Sequence, residues 1–243
     1  MCVAALAWNA HPRWRLVVAA NRDEYHERPT MPLELWHTGV LAGRDLRAGG
    51  TWLGVHGNGR FALVTNHRVE GYPKPDRLSR GGLVTGWLGG SGLGDTAAMN
   101  PFNLFCAGPQ GVHFVTNWPE GEEEERMLPP GVHGLSNGPF DRPWPKARQL
   151  CGAVDDWLQA GNAGTDALFA ALRDETARQP VDTHRTDPEP RLSGVFIRDP
   201  VYGTRCSTVV TVDAAGQGRI VERRFDAQGT PTGETALAFH WDN

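Results

Sequence analysis

The stretch Cys2-Val3-Ala4-Ala5-Leu6-Ala7-Trp8, followed by Asn9 to Arg13 and then Trp14-Arg15-Leu16-Val17-Val18-Ala19-Ala20, reads as a β-hairpin. Both arms are apolar, the second is rich in Val and Leu, and Asn9 and Pro12 supply turn chemistry between them. An antiparallel pair lays the first residue of one arm beside the end of the other. Cys2 is therefore expected beside Asn21-Arg22-Asp23-Glu24. One small volume would hold a thiol, an amine, a guanidinium and two carboxylates.

The amine enters because an initiator Met before a small residue such as Cys2 is normally removable. A mature N-terminal cysteine carries its own base, since an α-amino group titrates near ~7.7 to 8.0 and can take a proton from its own side chain. Asp23 or Glu24 could hold that amine, and Arg22 could favour the thiolate or contact a substrate. The alternative is a small buried hydrophobe at the start of an edge strand.

Working outward, 243 residues suffice for one domain spanning 1–243 with a substantial core. A net charge of −4, with Lys and Arg spread along the chain, argues against a nucleic-acid partner. Four cysteines at positions 2, 106, 151 and 206 lack Cys-x-x-Cys spacing, which points away from a disulfide framework or a structural zinc site. The nine histidines form no His-Glu-x-x-His or comparable cluster, so no metal or other cofactor is expected. A reducing, cytoplasmic setting fits this cysteine usage. No targeting segment is evident, and no apolar run approaches the ~18 residues that span a bilayer.

Further strands are expected at 40–42, 51–55 and 60–66, with His56-Gly57-Asn58-Gly59 turning between the last two. Residues 25–39, with Pro29 and Pro32, read as a loop, and 67–78 as either a loop at the substrate rim or a solvated connection. A short helix fits 83–88. Gly89 to Gly94 is read as a turn because Asp95 stands where a G-x-G-x-x-G motif needs its third glycine. Strands at 102–107 and 112–116 form another hairpin, and Glu122 to Glu125 is expected as a solvated loop. Helical spacing marks 146–160, through Leu150, Val154, Trp157 and Leu158, and 166–173. The polar segment 174–194 is expected as a mobile excursion, before strands at 195–197, 207–213 and 219–225. Strands with hairpins, then two helices, then strands again give an α+β class rather than alternating βαβ.

Several short motifs run in order along this chain. They are Asn21-Arg22-Asp23-Glu24, Ala42-Gly43-Arg44-Asp45, Gly49-Gly50-Thr51-Trp52-Leu53-Gly54-Val55, Thr65-Asn66-His67-Arg68, Ser79-Arg80-Gly81, Asn103-Leu104 and Leu135-Ser136-Asn137. In this set the chain resembles the NRDE family, whose animal members are called transport and Golgi organisation protein two. More distantly it is similar to cysteine-type N-terminal-nucleophile hydrolases, such as bile salt hydrolases and penicillin V acylases. Those also begin Met-Cys and carry an Arg-Asn-x-Asp turn after the second strand. The fold that this resemblance implies is a four-layer αββα sandwich of antiparallel sheets.

The resemblance also implies roles. Cys2 would be the nucleophile, and Asn66 and Asn137 (in Leu135-Ser136-Asn137-Gly138-Pro139) would form the oxyanion hole. The acidic turn maps in two ways. Matching fourth residues puts Glu24 in the acid's place and Asn21 in the arginine's, whereas matching the aspartates uses Asp23 and leaves Ala20 in the arginine's place. Arg22 joins Cys2, Asp23, Asn66 and Asn137 as a catalytic candidate. Asn21, Glu24, Trp52, His67 and Arg205 are candidates for contacting substrate. Two functions follow. One is cleavage of a non-peptide amide of a small acyl-amine; the other, from the family's links to lipid and haem handling, is binding or trafficking of haem or an acyl lipid in the same cleft. Cys2 or His67 would be the potential iron ligand in the haem case.

Overall fold

The alternating apolar strands assemble into two antiparallel sheets. The computed structural model describes residues 2–161, 164–176 and 194–242. In chain order the strands are β1 (Val3–His11), β2 (Trp14–Tyr25), β3 (Thr30–Leu35), β4 (Val40–Asp45), β5 (Leu53–His56) and β6 (Arg60–Asn66). After helix α1 (Gly81–Gly89) come β7 (Phe102–Gly108), β8 (Gly111–Thr116), β9 (Glu124–Leu128) and β10 (Gly131–Leu135). Helices α2 (Pro145–Gln159) and α3 (Asp166–Leu172) precede β11 (Tyr202–Asp213), β12 (Gln217–Phe225) and β13 (Pro231–His240). One sheet has the order β10-β1-β2-β11-β12-β13, and the other runs β3 to β9 in sequence order.

Three buried clusters define four layers. Ala4, Leu6, Leu16, Val18 and Val210 of the first sheet meet Leu53, Val55, Phe61, Leu63 and Phe105 of the second between the sheets. On its other face the first sheet packs Val3, Ala5, Val17 and Ala19 against Leu150, Val154, Trp157 and Phe169 of α2 and α3. The second sheet packs Ala42, Ala62 and Leu104 against Leu83, Val84 and Leu88 of α1. Each fully buried large apolar side chain contributes roughly 1.5–3 kcal/mol. The period-two alternation of β1 and β2 therefore feeds two different cores, and it decides which face each site residue occupies.

The structure departs from the sequence reading in five places. The 25–39 loop contains β3; Pro32 is tolerated because β3 is an edge strand, where a missing N–H breaks no inner ladder. Half of the acidic run lies in β9, also an edge, where exposed charges cost little and deter edge-to-edge pairing. β10 and β13 were not anticipated. Residues 195–197 are irregular rather than a strand, fastened to β11 by Ile197 and Thr204, whose backbone N–H groups donate to Thr204 Oγ1 and the Ile197 carbonyl, both at 2.9 Å. Of the expected excursion at 174–194, residues 177–193 lie outside the described residues. No helix among the described residues is long and apolar enough to cross a membrane.

Candidate active site

The site lies where β1 begins. Val3 pairs with Asn21, Ala4 with Ala20 and Leu6 with Val18, so Cys2 is next in register to Arg22. Ala20 and Val18 belong to the core between the sheets, and Ala19 and Val17 to the core under the helices. Alternation then splits the tetrapeptide: Arg22 and Glu24 go with the inter-sheet face, Asn21 and Asp23 with the helical face.

The contacts follow this split. On the helical face Asn21 donates through Nδ2 to the carbonyls of Leu172 and Val195, both at 2.8 Å, and accepts from Ser207 Oγ at 2.6 Å. Both of its donor hydrogens and one acceptor direction are spent inside the protein. The expected substrate contact by Asn21 is thus replaced by a clamp that joins β2 to the α3 end and β11. Beside it Asp23 is 3% exposed; its Oδ1 accepts from Thr204 Oγ1 at 2.7 Å, and its Oδ2 lies 4.0 Å from Lys146 Nζ in α2. Burial pushes the Asp23 carboxyl up, opposed by the N-terminal ammonium, Lys146, the Thr204 hydrogen bond and Arg22.

On the opposite face Arg22 spans the two sheets. Its guanidinium donates to Thr30 Oγ1 at 3.2 Å and to Asp45 Oδ2 at 3.4 Å, and it stacks 4.3 Å from the centre of the Trp52 ring. Asp45 also accepts from Arg28 Nε at 2.6 Å, and Arg28 Nε lies 3.7 Å from Glu24 Oε2. Although burial would raise it, the Asp45 carboxyl sits below its ordinary value because Arg28, the Ala48 N–H and Arg22 favour the anion. Arg205 stands at a break in the β2–β11 register and donates to the carbonyls of Tyr25 and Arg28 at 2.9 and 3.1 Å. Burial and the like charge of Arg22 lower it. Trp52 and Arg205 thus support Arg22 and the 25–28 turn in this structure, and Glu24 tethers Arg28.

Two long-range contacts close the site over Cys2. Its backbone N–H donates to Asn137 Oδ1 at 2.8 Å, while Asn137 Nδ2 donates to the Asn66 carbonyl at 2.6 Å. Asn137 is 1% exposed and its own carbonyl accepts from the Arg68 N–H at 2.7 Å, so the amide is held from both ends. One Nδ2 hydrogen is committed to Asn66 and one remains. Asn66 is exposed at the end of β6, and its side-chain amide makes no hydrogen bond among the described residues. The second contact is electrostatic. Arg80, just before α1, is lowered to about 10 by burial, with Cys2 and Glu24 opposing the shift and Arg28 adding to it.

His67 directly follows Asn66 in the chain. With Arg68, Trp118, Phe140 and Arg142 it lines a cavity of about 310 Å³, and its ring centre is 6.4 Å from that of Trp118. The other three cysteines are poor nucleophiles: burial raises Cys106 and Cys151 to about 12, and raises Cys206 strongly with help from Glu222.

Arg80, Asp45, Thr204 and Lys146 are the site residues that sequence reading missed. Arg80 and Asp45 belong to two of the short motifs quoted above, which was the available signal. Lys146 offered only a faint one: a cation in the first turn of a helix, where the dipole disfavours it.

The comparisons with known proteins agree with this architecture. The profile of the family described as Transport and Golgi organisation 2 matches residues 1–227. A Transport and Golgi organization protein 2 homolog from Bos taurus is 33% identical over 259 residues, covering 92% of each chain. The Homo sapiens homolog is 32% identical over 263 residues, again covering 92% of each. Among solved structures, a Caenorhabditis elegans N-acylethanolamine-hydrolyzing acid amidase ortholog superposes with a TM-score of 0.50 at 11% identity, covering 86% of this chain and 92% of that one. At that identity the likeness concerns the fold, the α+β sandwich that the hydrolase resemblance implied. The family match spans nearly the whole chain, and this protein belongs to the Transport and Golgi organisation 2 family.

Proposed function

We propose that the chain is an N-terminal-nucleophile hydrolase acting on a C–N amide of a small acyl-amine, with Cys2, freed of Met1, as nucleophile. The observation that carries this reading is the Cys2 nitrogen held at 2.8 Å by a buried, doubly anchored Asn137. The acceptor is a side chain 135 positions away rather than a ladder carbonyl, and its amide also holds the end of β6, so it would keep a mature Cys2 amine beside Asn66.

In this mechanism the Cys2 amine takes the thiol proton and the thiolate attacks the acyl carbonyl. Four guanidinium groups, Arg22, Arg28, Arg80 and Arg205, face two carboxylates, Glu24 and Asp45, on this side, so cations outnumber anions there. The remaining Nδ2 hydrogen of Asn137 and the Asn66 amide are the donors for the oxyanion; each such donor is worth about 3–4 kcal/mol in enzymes that use one. The ammonium then returns its proton to the leaving nitrogen, the C–N bond breaks, and water hydrolyses the thioester.

The test is the intact mass of natively initiated protein with and without a thiol-reactive acyl probe. Loss of Met1 with one adduct at Cys2 supports the nucleophile; retained Met1 and an inert Cys2 sink it. The second reading is a binder of haem or an acyl lipid, favoured by the His67 cavity, whose Trp118 and Phe140 walls adjoin Arg68 and Arg142. It requires that affinity survive Cys2→Ala while no amide is turned over.

A further inference from the structure

Lys146 is 0% exposed, and its ammonium has no hydrogen-bond partner among the described residues. Burying such a cation is costly unless an anion faces it. The facing anion is Asp23, with Oδ2 4.0 Å away; the Trp144 ring centre stands at 6.0 Å. The other charged residues of α2, Arg148, Asp155 and Asp156, are exposed. From β11 its carboxylate accepts from the neutral Thr204 hydroxyl and its carbonyl from the Tyr202 hydroxyl, and along β2 its charged neighbours are Arg22 and Glu24. Carrying the β1–β2 register one step past Val3–Asn21 sets Cys2 opposite Arg22, the residue before Asp23, so a mature Cys2 amine would stand beside this carboxylate. In the mature chain one buried carboxylate would therefore be shared by the Cys2 ammonium and Lys146, with Arg22 alongside.

That sharing has a consequence for a terminal amine that must act as a base. An ammonium paired alone with a buried carboxylate leaves a neutral pair, and losing its proton would strand an isolated buried anion. With Lys146 present, losing the proton leaves the neutral Asp23–Lys146 pair instead. Resting on the proposed Cys2 nucleophile, we infer that Lys146 is a positioning residue whose charge frees the mature Cys2 amine to give up its proton near neutral pH. Among the described residues, the remaining charged groups near Cys2 are Arg80 before α1 and Arg22 and Glu24 on β2, with the neutral thiol of Cys206 on β11. They are the same in every variant compared below.

The experiment titrates the Cys2 amine itself. Mature protein, checked for Met1 loss by intact mass, is labelled with nitrogen-15 cysteine, and Cys2 is capped with methyl methanethiosulfonate so that its thiol does not titrate. The amine nitrogen shift is then followed against pH. Lys146→Met is expected to raise the midpoint by about one unit or more, the usual size of a close charge effect, and Lys146→Arg to restore most of it. A folded Lys146→Met with an unmoved or lowered midpoint overturns the inference, because a purely packing role would not touch this titration. Should Lys146→Met not fold, Asp23→Asn is compared with Asp23→Asn/Lys146→Met. The double variant must titrate higher, and equal midpoints overturn the inference. Retained Met1, or a Cys2 that cannot be capped, overturns the nucleophile and this role together; a capped, titrating wild type with an indifferent Lys146 overturns this role alone.

Discussion

Asn137 shows how one side chain can define a site. It is almost fully buried, receives the Cys2 N–H and donates to the Asn66 carbonyl, so truncation strands polar groups at both ends. Leaving a buried partner unsatisfied costs about 1–3 kcal/mol. Asn137→Ala is therefore expected to slow acyl-probe labelling of Cys2 by roughly ten- to a hundredfold, as followed by mass spectrometry, with the fold retained on circular dichroism. In the wild type the adduct should form at Cys2 and not at Cys106, Cys151 or Cys206, whose thiols burial holds above their ordinary value. Peptide mapping after labelling checks this, and an adduct on any of those three contradicts it. Asp45 gives a pH signature. Its folded-state value is lowered, so its stabilising contribution is present above the ordinary carboxylate value near ~3.9 and is lost as pH falls through the depressed value. Asp45→Asn should be less stable than wild type at pH 7, with the two melting temperatures converging in acid.

At the scale of elements, the β1–β2 hairpin was legible because both arms are apolar and a turn lies between them. Its register placed Cys2 beside the tetrapeptide. The partners that make it a site come from elsewhere in the chain. The segment from β10 to α2 supplies Asn137 and Lys146, and it is held by close packing: a Cβ on Gly138 would stand 2.2 Å from Trp144 Nε1. Gly138→Ala is expected to cost about 1–3 kcal/mol and lower the melting temperature, and its effect on Cys2 labelling should exceed that of an equally destabilising change far from the site. Edge strands were hard to read for a physical reason. β3 contains a proline, β9 is charged, and β13 alternates between exposed and half-buried residues, so each lacks the apolar run that marks an inner strand.

Across the whole molecule the two sheets are joined by side chains from the far end of the chain. Trp241 is 0% exposed, lies in the inter-sheet core, and donates through Nε1 to the His56 carbonyl of β5 at 2.9 Å. Trp241→Ala should cost about 3–5 kcal/mol in chemical denaturation, and Trp241→Phe less, since it keeps most of the volume but not the hydrogen bond. The sequence by itself determined the local matters: apolar runs for the inner strands, helical spacing for α2 and α3, and a thiol set beside the tetrapeptide Asn21 to Glu24. These depend on neighbours a few residues apart, and periodicity records them. The tertiary structure alone decided that Asn21 is a clamp, that Asp23 meets Lys146 under the helices, and that Arg22 meets Asp45 and Trp52 between the sheets. Strand alternation sends adjacent residues to opposite faces, but what waits on each face is set by contacts that reach across as many as 186 positions, and no local pattern encodes them.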